Sequence, residues 1–249
     1  MTFRQKLDAI VEKNNSLLSV GLDSDVDAQV AFNKKIIDAT HDLVCAYKPN
    51  TAFYESRGVA GIEALKQTCD YLRKTYPEIV LIVDAKRGDI GNSNEAYAKF
   101  AFDYLGADAI TLHPYLGKEA LKPFLDRKEK GSVILCRTSN PGAGEFQDDM
   151  YKKVAEHVAK EWNSNDNCAL VVGAPYPAEL AIVRRIVGDM PFLIPGIGAQ
   201  GGDLEKTVKA GVDSTGKNAI INASRSIIFA QEPRTEAQKL RYEINKYRS

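Results

Sequence analysis

Eight short apolar runs, rich in β-branched residues, recur along this chain. They are spaced roughly 30 residues apart, the length of one βα unit. The runs are Leu17–Asp23, Leu43–Pro49, Ile79–Lys86, Ala109–Pro114, Ser132–Ser139, Cys168–Gly173, Pro191–Gly196 and Ala219–Ala223. Each is nearly continuous in hydrophobicity. A strand with one wet face alternates, whereas a parallel strand covered on both faces does not. Helical stripes lie between the runs. Phe3, Leu7, Ile10 and Val11 share one face before the first run, and Ile62, Leu65, Cys69 and Leu72 do so between the second and third. Ala178, Leu180, Val183 and Ile186 form a rougher stripe between the sixth and seventh. No linker rich in Pro, Gly or Ser divides the 249 residues. The pattern predicts an α/β fold: a single (β/α)8 TIM barrel with an N-terminal helix, one domain over residues 1–249. An open doubly wound sheet is the alternative. The count of eight and the lack of a second domain favour the barrel.

Composition narrows the function classes. No run of about 18 apolar residues is present, so no membrane partner is expected. The start MTFRQKLDAIVEKNN lacks a basic segment followed by an apolar one, so it does not read as a secretory signal. The 33 basic and 33 acidic residues cancel, which argues against a nucleic-acid partner. A compact, soluble, cytoplasmic protein is the expectation. The charged stretch Glu232–Ser249 reads as a solvated helix. Cys45, Cys69, Cys136 and Cys168 form no C-x-x-C pair and read as buried small hydrophobes. His41, His113 and His157 make no H-E-x-x-H motif, and no G-x-S-x-G occurs, so neither a zinc site nor a serine hydrolase is indicated.

Barrel active sites sit at the C-terminal ends of the strands. Those ends are polar here. Asp23 closes the first run, Lys48 the second with Asn50 beyond it, and Asp84 and Lys86 the third with Asp89 following. Thr138 and Ser139 close the fifth, Gln200 follows the seventh and Arg225 the eighth. Asp84 and Lys86 are two apart, so strand alternation would aim both at the barrel mouth. A lysine held between carboxylates stays protonated and can deliver a proton to a carbanion. Acidic groups beside it can crowd an anionic substrate group.

Asp84-x-Lys86-x-x-Asp89 followed by Ile90-Gly91-Asn92-Ser93 resembles the signature of the orotidine 5′-phosphate decarboxylase family. The likeness continues in Gly21-Leu22-Asp23, in Lys48-Pro49-Asn50 with Ala52-Phe53-Tyr54-Glu55, and in Thr138-Ser139-Asn140-Pro141-Gly142-Ala143. It extends through Pro195-Gly196-Ile197-Gly198-Ala199-Gln200-Gly201-Gly202-Asp203 and Asn222-Ala223-Ser224-Arg225. Six ordered blocks from about residue 20 to residue 226 are far more specific than D-x-K-x-x-D alone. The fillers resemble the longer branch of the family, also seen fused in bifunctional UMP synthases.

The resemblance implies decarboxylation of orotidine 5′-monophosphate to UMP, the last step of UMP biosynthesis, with no metal and no organic cofactor. It implies that Lys86 protonates C6, that Asp84 faces the departing carboxylate, and that Lys48 pairs with the aspartates and contacts ribose. Asp23 would accept a ribose hydroxyl, and Asn50 is a further substrate contact. Asp89, with Ser93 beside it, would reach into the neighbouring site, so the array Lys48–Asp84–Lys86–Asp89 is complete only in a homodimer. Ser139, with Thr138 as the other candidate, would meet the pyrimidine. Pro195 and Gln200 would line the substrate, Gln200 bridging base and phosphate. Ser224 and Arg225 would hold the phosphate, in keeping with barrel phosphate sites built after strands seven and eight.

Gly196-Ile197-Gly198-Ala199-Gln200-Gly201 also matches G-x-G-x-x-G, but a dinucleotide fingerprint belongs on a first βαβ unit, not a seventh strand. Two rivals remain: a magnesium-dependent phosphosugar decarboxylase or aldolase on the same barrel, and a nucleotide-binding barrel without activity. The first wants a metal carboxylate where this chain has Lys48. Zero net charge adds a constraint: Lys48, Lys86 and Arg225 must attract an anionic substrate locally, without a global positive field.

Overall fold

The computed structural model describes residues 1–197 and 202–248. Eight strands close into a barrel in sequence order. They are β1 (Leu18–Gly21), β2 (Ala46–Lys48), β3 (Val80–Arg87), β4 (Ala109–Leu112), β5 (Gly131–Arg137), β6 (Cys168–Val172), β7 (Phe192–Pro195) and β8 (Ala219–Ala223). All pairings are parallel, and β8 returns to β1 with Leu18 opposite Ile221. Each strand lies on one of the eight apolar runs. Their burial is nearly complete: Val20, Ile82, Ile110, Ile134, Leu170, Ile194 and Ile221 are all shut off from solvent. Each such side chain contributes about 1.5–3 kcal/mol of hydrophobic stabilisation. Asp23, Thr138 and Ser139 fall just beyond their strands. There the backbone leaves the ladder and polar groups can face the mouth.

The helix Phe3–Asn14 buries Phe3, Leu7, Ile10 and Val11, the stripe read from the sequence. A capping box between Thr2 and Gln5 starts it, and Asn15 in the left-handed region ends it. It packs at the N-terminal end of the barrel, where Lys6 donates to Asp108 at 2.6 Å and the Phe3 N–H donates to the Glu129 carbonyl. The helix Gly58–Thr75 buries Leu65, Cys69 and Leu72, with Ile62 half-buried. The stripe before β7 needs correction. The helix Pro177–Val187 buries Leu180, Val183 and Val187, while Ala178 is exposed and Ile186 half-buried. A 3.6-residue period through Leu180 and Val183 reaches Val187 rather than Ile186.

The C-terminal stretch is also not simply solvated. The helix Pro233–Tyr247 buries Ala237 and Ile244. Arg234 forks onto both carboxylate oxygens of Asp42 at 2.7 Å, and Arg241 donates to the Asn14 carbonyl. Its apolar positions are too sparse to stand out among the charges. All four cysteines are buried free thiols. Burial pushes each of them up to about 12. No helix among the described residues is long and apolar enough to cross a membrane.

Candidate active site

A cavity of about 810 Å³ opens at the C-terminal ends of the strands. Asp23, Lys48, Asn50, Asp84 and Lys86 line one side of it, and Ser139, Pro195, Ser224 and Arg225 line the rest. The polar strand ends therefore converge on one rim. The volume suits a small-molecule ligand.

Asp84 is the centre of the charged side. Its Oδ2 accepts from Lys48 Nζ at 2.9 Å, and its Oδ1 accepts from Lys86 Nζ at 2.7 Å and Thr111 Oγ1 at 2.8 Å. Lys48 Nζ also lies 3.8 Å from Asp23 Oδ2. The charges alternate in the order Asp23, Lys48, Asp84, Lys86. Lys48 and Asp84 are only 4% and 8% exposed, but the Lys86 side chain is 48% exposed and faces the cavity. Burial on its own would raise the Asp84 carboxyl above the usual carboxylate range. The Lys48 and Lys86 ammoniums outweigh it and hold the carboxyl well below the usual carboxylate range. Burial likewise opposes the charge on Lys48, yet Asp84 and Asp23 raise its value above that of a free lysine. The lysine between two carboxylates is Lys48, whereas Lys86 pairs with Asp84 alone among the described residues.

The local backbone explains this placement. The β2–β3 ladder continues past β2 as a bridge between Asn50 and Asp84, with the Asp84 N–H donating to the Pro49 carbonyl at 2.9 Å. Lys48 and Asp84 are thereby held on adjacent strands. Lys86 differs from the strand-alternation reading. Its φ is +48°, and the β3–β4 register shifts between Val83 and Arg87. The side chain still meets Asp84, but through a bulge rather than the pleat. The Lys86 N–H donates to Thr111 Oγ1 at 2.9 Å, so one threonine hydroxyl holds both the bulge and the carboxylate. Sequence reasoning missed Thr111. Its only signal was a hydroxyl inside the apolar run of β4.

Asp23 accepts from the Asn50 N–H at 3.0 Å and from Ser224 Oγ at 2.7 Å, which joins the first, second and eighth strand ends. Gly21 makes this possible, since a Cβ there would lie 1.9 Å from Ser224 Oγ. The Asn50 side chain accepts from the Ala52 N–H and orders the turn. Across the cavity, Thr138 Oγ1 donates to Asn140 Oδ1 at 2.6 Å and accepts from Gln147 Nε2 at 2.9 Å. Ser139 makes no side-chain hydrogen bond among the described residues, and its hydroxyl is the freer of the two. Arg225 is exposed at the start of the short helix Arg225–Ile228 and forms no ion pair among the described residues.

Two expected residues do not line this cavity. Asp89 lies beyond β3, half-buried, and Ser93 is exposed on the helix Gly91–Ala98. Gln200 lies outside the described residues. No cluster of three or more His, Cys, Asp or Glu residues among the described residues is placed to hold a metal ion.

Residues 16–240 match the profile of the Orotidine 5'-phosphate decarboxylase / HUMPS family. The chain belongs to this family. It is 50% identical to the orotidine 5'-phosphate decarboxylase of Herpetosiphon aurantiacus, over 92% of this chain and 90% of that protein. Identity to the enzyme of the same name from Cellvibrio japonicus is 46%, over 98% of each chain. The solved OMP decarboxylase of Leishmania donovani superposes with a TM-score of 0.92 at 40% identity, covering 100% of this chain and 99% of that one. The UMP synthase of the same organism superposes at 0.95 and 42% identity, but this chain spans only 57% of its length. The (β/α)8 barrel read from the eight runs is thus the fold of this decarboxylase family.

Proposed function

We propose that this chain removes CO₂ from orotidine 5′-monophosphate to give UMP, and that the Lys48–Asp84–Lys86 array carries the chemistry. The observation that supports this most strongly is a buried, doubly paired Asp84 presenting the half-exposed Lys86 ammonium to the cavity. The bond from C6 to the carboxylate breaks, CO₂ leaves, and the electron pair remains on C6. Lys86 Nζ then transfers a proton to C6, and solvent restores it. A fixed ammonium stabilises the developing carbanion without reorganising. Asp84 faces the departing carboxylate and sets the position of Lys86.

The other residues bind. Asp23, already oriented by Asn50 and Ser224, accepts a ribose hydroxyl, and Lys48 contacts the ribose. Ser139 meets the pyrimidine, because the Thr138 hydroxyl is already bound to Asn140 and Gln147. Pro195 lines the base, Ser224 and Arg225 take the phosphate, and Gln200 bridges the two ends. Phosphate binding supplies remote energy that can hold the carboxylate against Asp84.

The active unit in this reading is a homodimer in which Asp89, with Ser93, enters the partner's cavity. Two observations support it. Asp89 lies off its own cavity, and the neighbouring Ile90, Tyr115 and Phe146 are exposed at 62%, 80% and 69%. Apolar side chains of that size at one end of a barrel favour a protein contact. Lys48 weighs against the metal-dependent rival, since it places an ammonium where that chemistry needs a carboxylate.

The test is to follow the ultraviolet absorbance of orotidine 5′-monophosphate with the EDTA-treated protein and to identify the product. UMP formation undiminished by EDTA is the expected result. No UMP would refute the assignment, and activity that needs added magnesium would favour the rival.

A further inference from the structure

Asn94 is buried in the helix Gly91–Ala98 and does not line the cavity. A buried amide is costly unless its donors and acceptor are met. Here they are. Oδ1 accepts from the Asp89 N–H at 2.9 Å, and Nδ2 donates to the Asp89 carbonyl at 2.5 Å. The same Nδ2 donates to the Ala120 carbonyl at 2.5 Å, in the helix Gly117–Leu125. One side chain takes both backbone groups of Asp89 and fastens them to the next βα unit. The Asp89 carboxylate itself accepts only from the Ile90 N–H, at 2.7 Å, among the described residues.

We propose that Asn94 is the positioning residue for Asp89, and that its influence falls on the partner subunit's active site rather than on its own. The proposal rests on the shared-site reading given above. Asp89 follows a bulged strand, in a loop with no strand pairing of its own. Asn94 supplies what the ladder does not. Releasing the clamp lets the Asp89 carboxylate drift while the Lys48–Asp84–Lys86 array of the same chain is untouched.

This makes a prediction that a merely structural role would not. Asn94→Ala should lower turnover roughly 10- to 100-fold, the scale of a displacement of about 1 Å at a reacting centre. Mixed with Lys86→Ala under subunit exchange, it should regain activity. The hybrid dimer has one site with Lys86 from the Asn94→Ala chain and a well-placed Asp89 from the other. Random exchange would restore about one quarter of wild-type activity per chain. Mixed with Asp89→Ala it should regain nothing, because both defects act on the partner.

Asp89→Ala mixed with Lys86→Ala is the control. If that pair recovers but Asn94→Ala with Lys86→Ala does not, the Asn94 proposal fails and the shared site stands. If the control fails despite demonstrated exchange, the shared site fails and takes this proposal with it. Full activity of Asn94→Ala alone, or recovery with Asp89→Ala, would also overturn the proposal. Asn94→Ser replaces Asn94→Ala if the latter does not fold. Failure of both to fold would contradict a positioning role.

Discussion

Lys86 donates to Asp84 at 2.7 Å from a left-handed backbone conformation, with φ at +48°. A non-glycine residue there carries roughly 1–3 kcal/mol of strain, which the surroundings must hold in place. Thr111 is the holder, accepting the Lys86 N–H and donating to the same Asp84 oxygen that Lys86 meets. The ammonium reaches the cavity wall through this left-handed turn rather than through the regular pleat.

The strain itself can be measured. Lys86→Gly and Lys86→Ala both remove the ammonium, but only glycine accepts a positive φ freely. Lys86→Gly should be the more stable by about 1 kcal/mol, a melting difference of roughly 2–4 °C for a chain of this size. Equal melting temperatures would contradict the left-handed assignment.

Thr111 should matter for turnover as well as for folding. Thr111→Val keeps the shape and loses the hydroxyl, leaving the Lys86 N–H and Asp84 each short of a partner. Losing a hydrogen bond to a charged group costs about 1.5–3 kcal/mol, so turnover should fall at least ~10-fold. Thr111→Ser should recover most of it. Steady-state kinetics on the two variants decide this.

The pH dependence of stability follows from the buried pair. The folded-state value of Asp84 is depressed by Lys48 and Lys86, so its ionisation stabilises the fold. That contribution is present above the unfolded value of about 3.9 and is lost as pH falls through the lower folded value. Lys48 is raised, so its contribution is present below about pH 10.4 and is lost as pH rises through its folded value. Denaturation of wild type and Asp84→Asn should differ most between about pH 5 and pH 9, and the gap should narrow in strong acid, as Asp84 is protonated, and again above about pH 10, as Lys48 loses its proton. A gap that closes near neutrality would contradict the pairing.

Arg225 is expected to act on binding. It is exposed and free of ion pairs among the described residues, and so is available to a phosphate. Arg225→Ala should lower kcat/KM by roughly 10- to 100-fold, the worth of one or two charge-assisted hydrogen bonds. Unchanged kinetics would remove Arg225 from the phosphate site.

Much of the barrel was legible because each strand is buried on both faces and so reads as an unbroken apolar run. The candidate site was legible where charge interrupts those runs, at Lys48, Asp84 and Lys86, which meet at one cavity. Other features follow from contacts distant in sequence. Thr111 serves Asp84 from β4, and no local pattern marks a hydroxyl for that task. The bulge that turns Lys86 left-handed leaves no glycine or proline as a sign. Asp89 and Ser93 lie off the cavity of their own chain, and the proposed dimer, in which a second copy would give them a substrate to meet, leaves no mark in a single sequence.

Lys86, held by Asp84, is the proposed proton donor to C6. The most direct measurement is the turnover of Lys86→Ala on orotidine 5′-monophosphate beside its affinity for UMP. Turnover should fall at least ~100-fold while UMP still binds. Near-normal turnover with intact UMP binding would contradict that role.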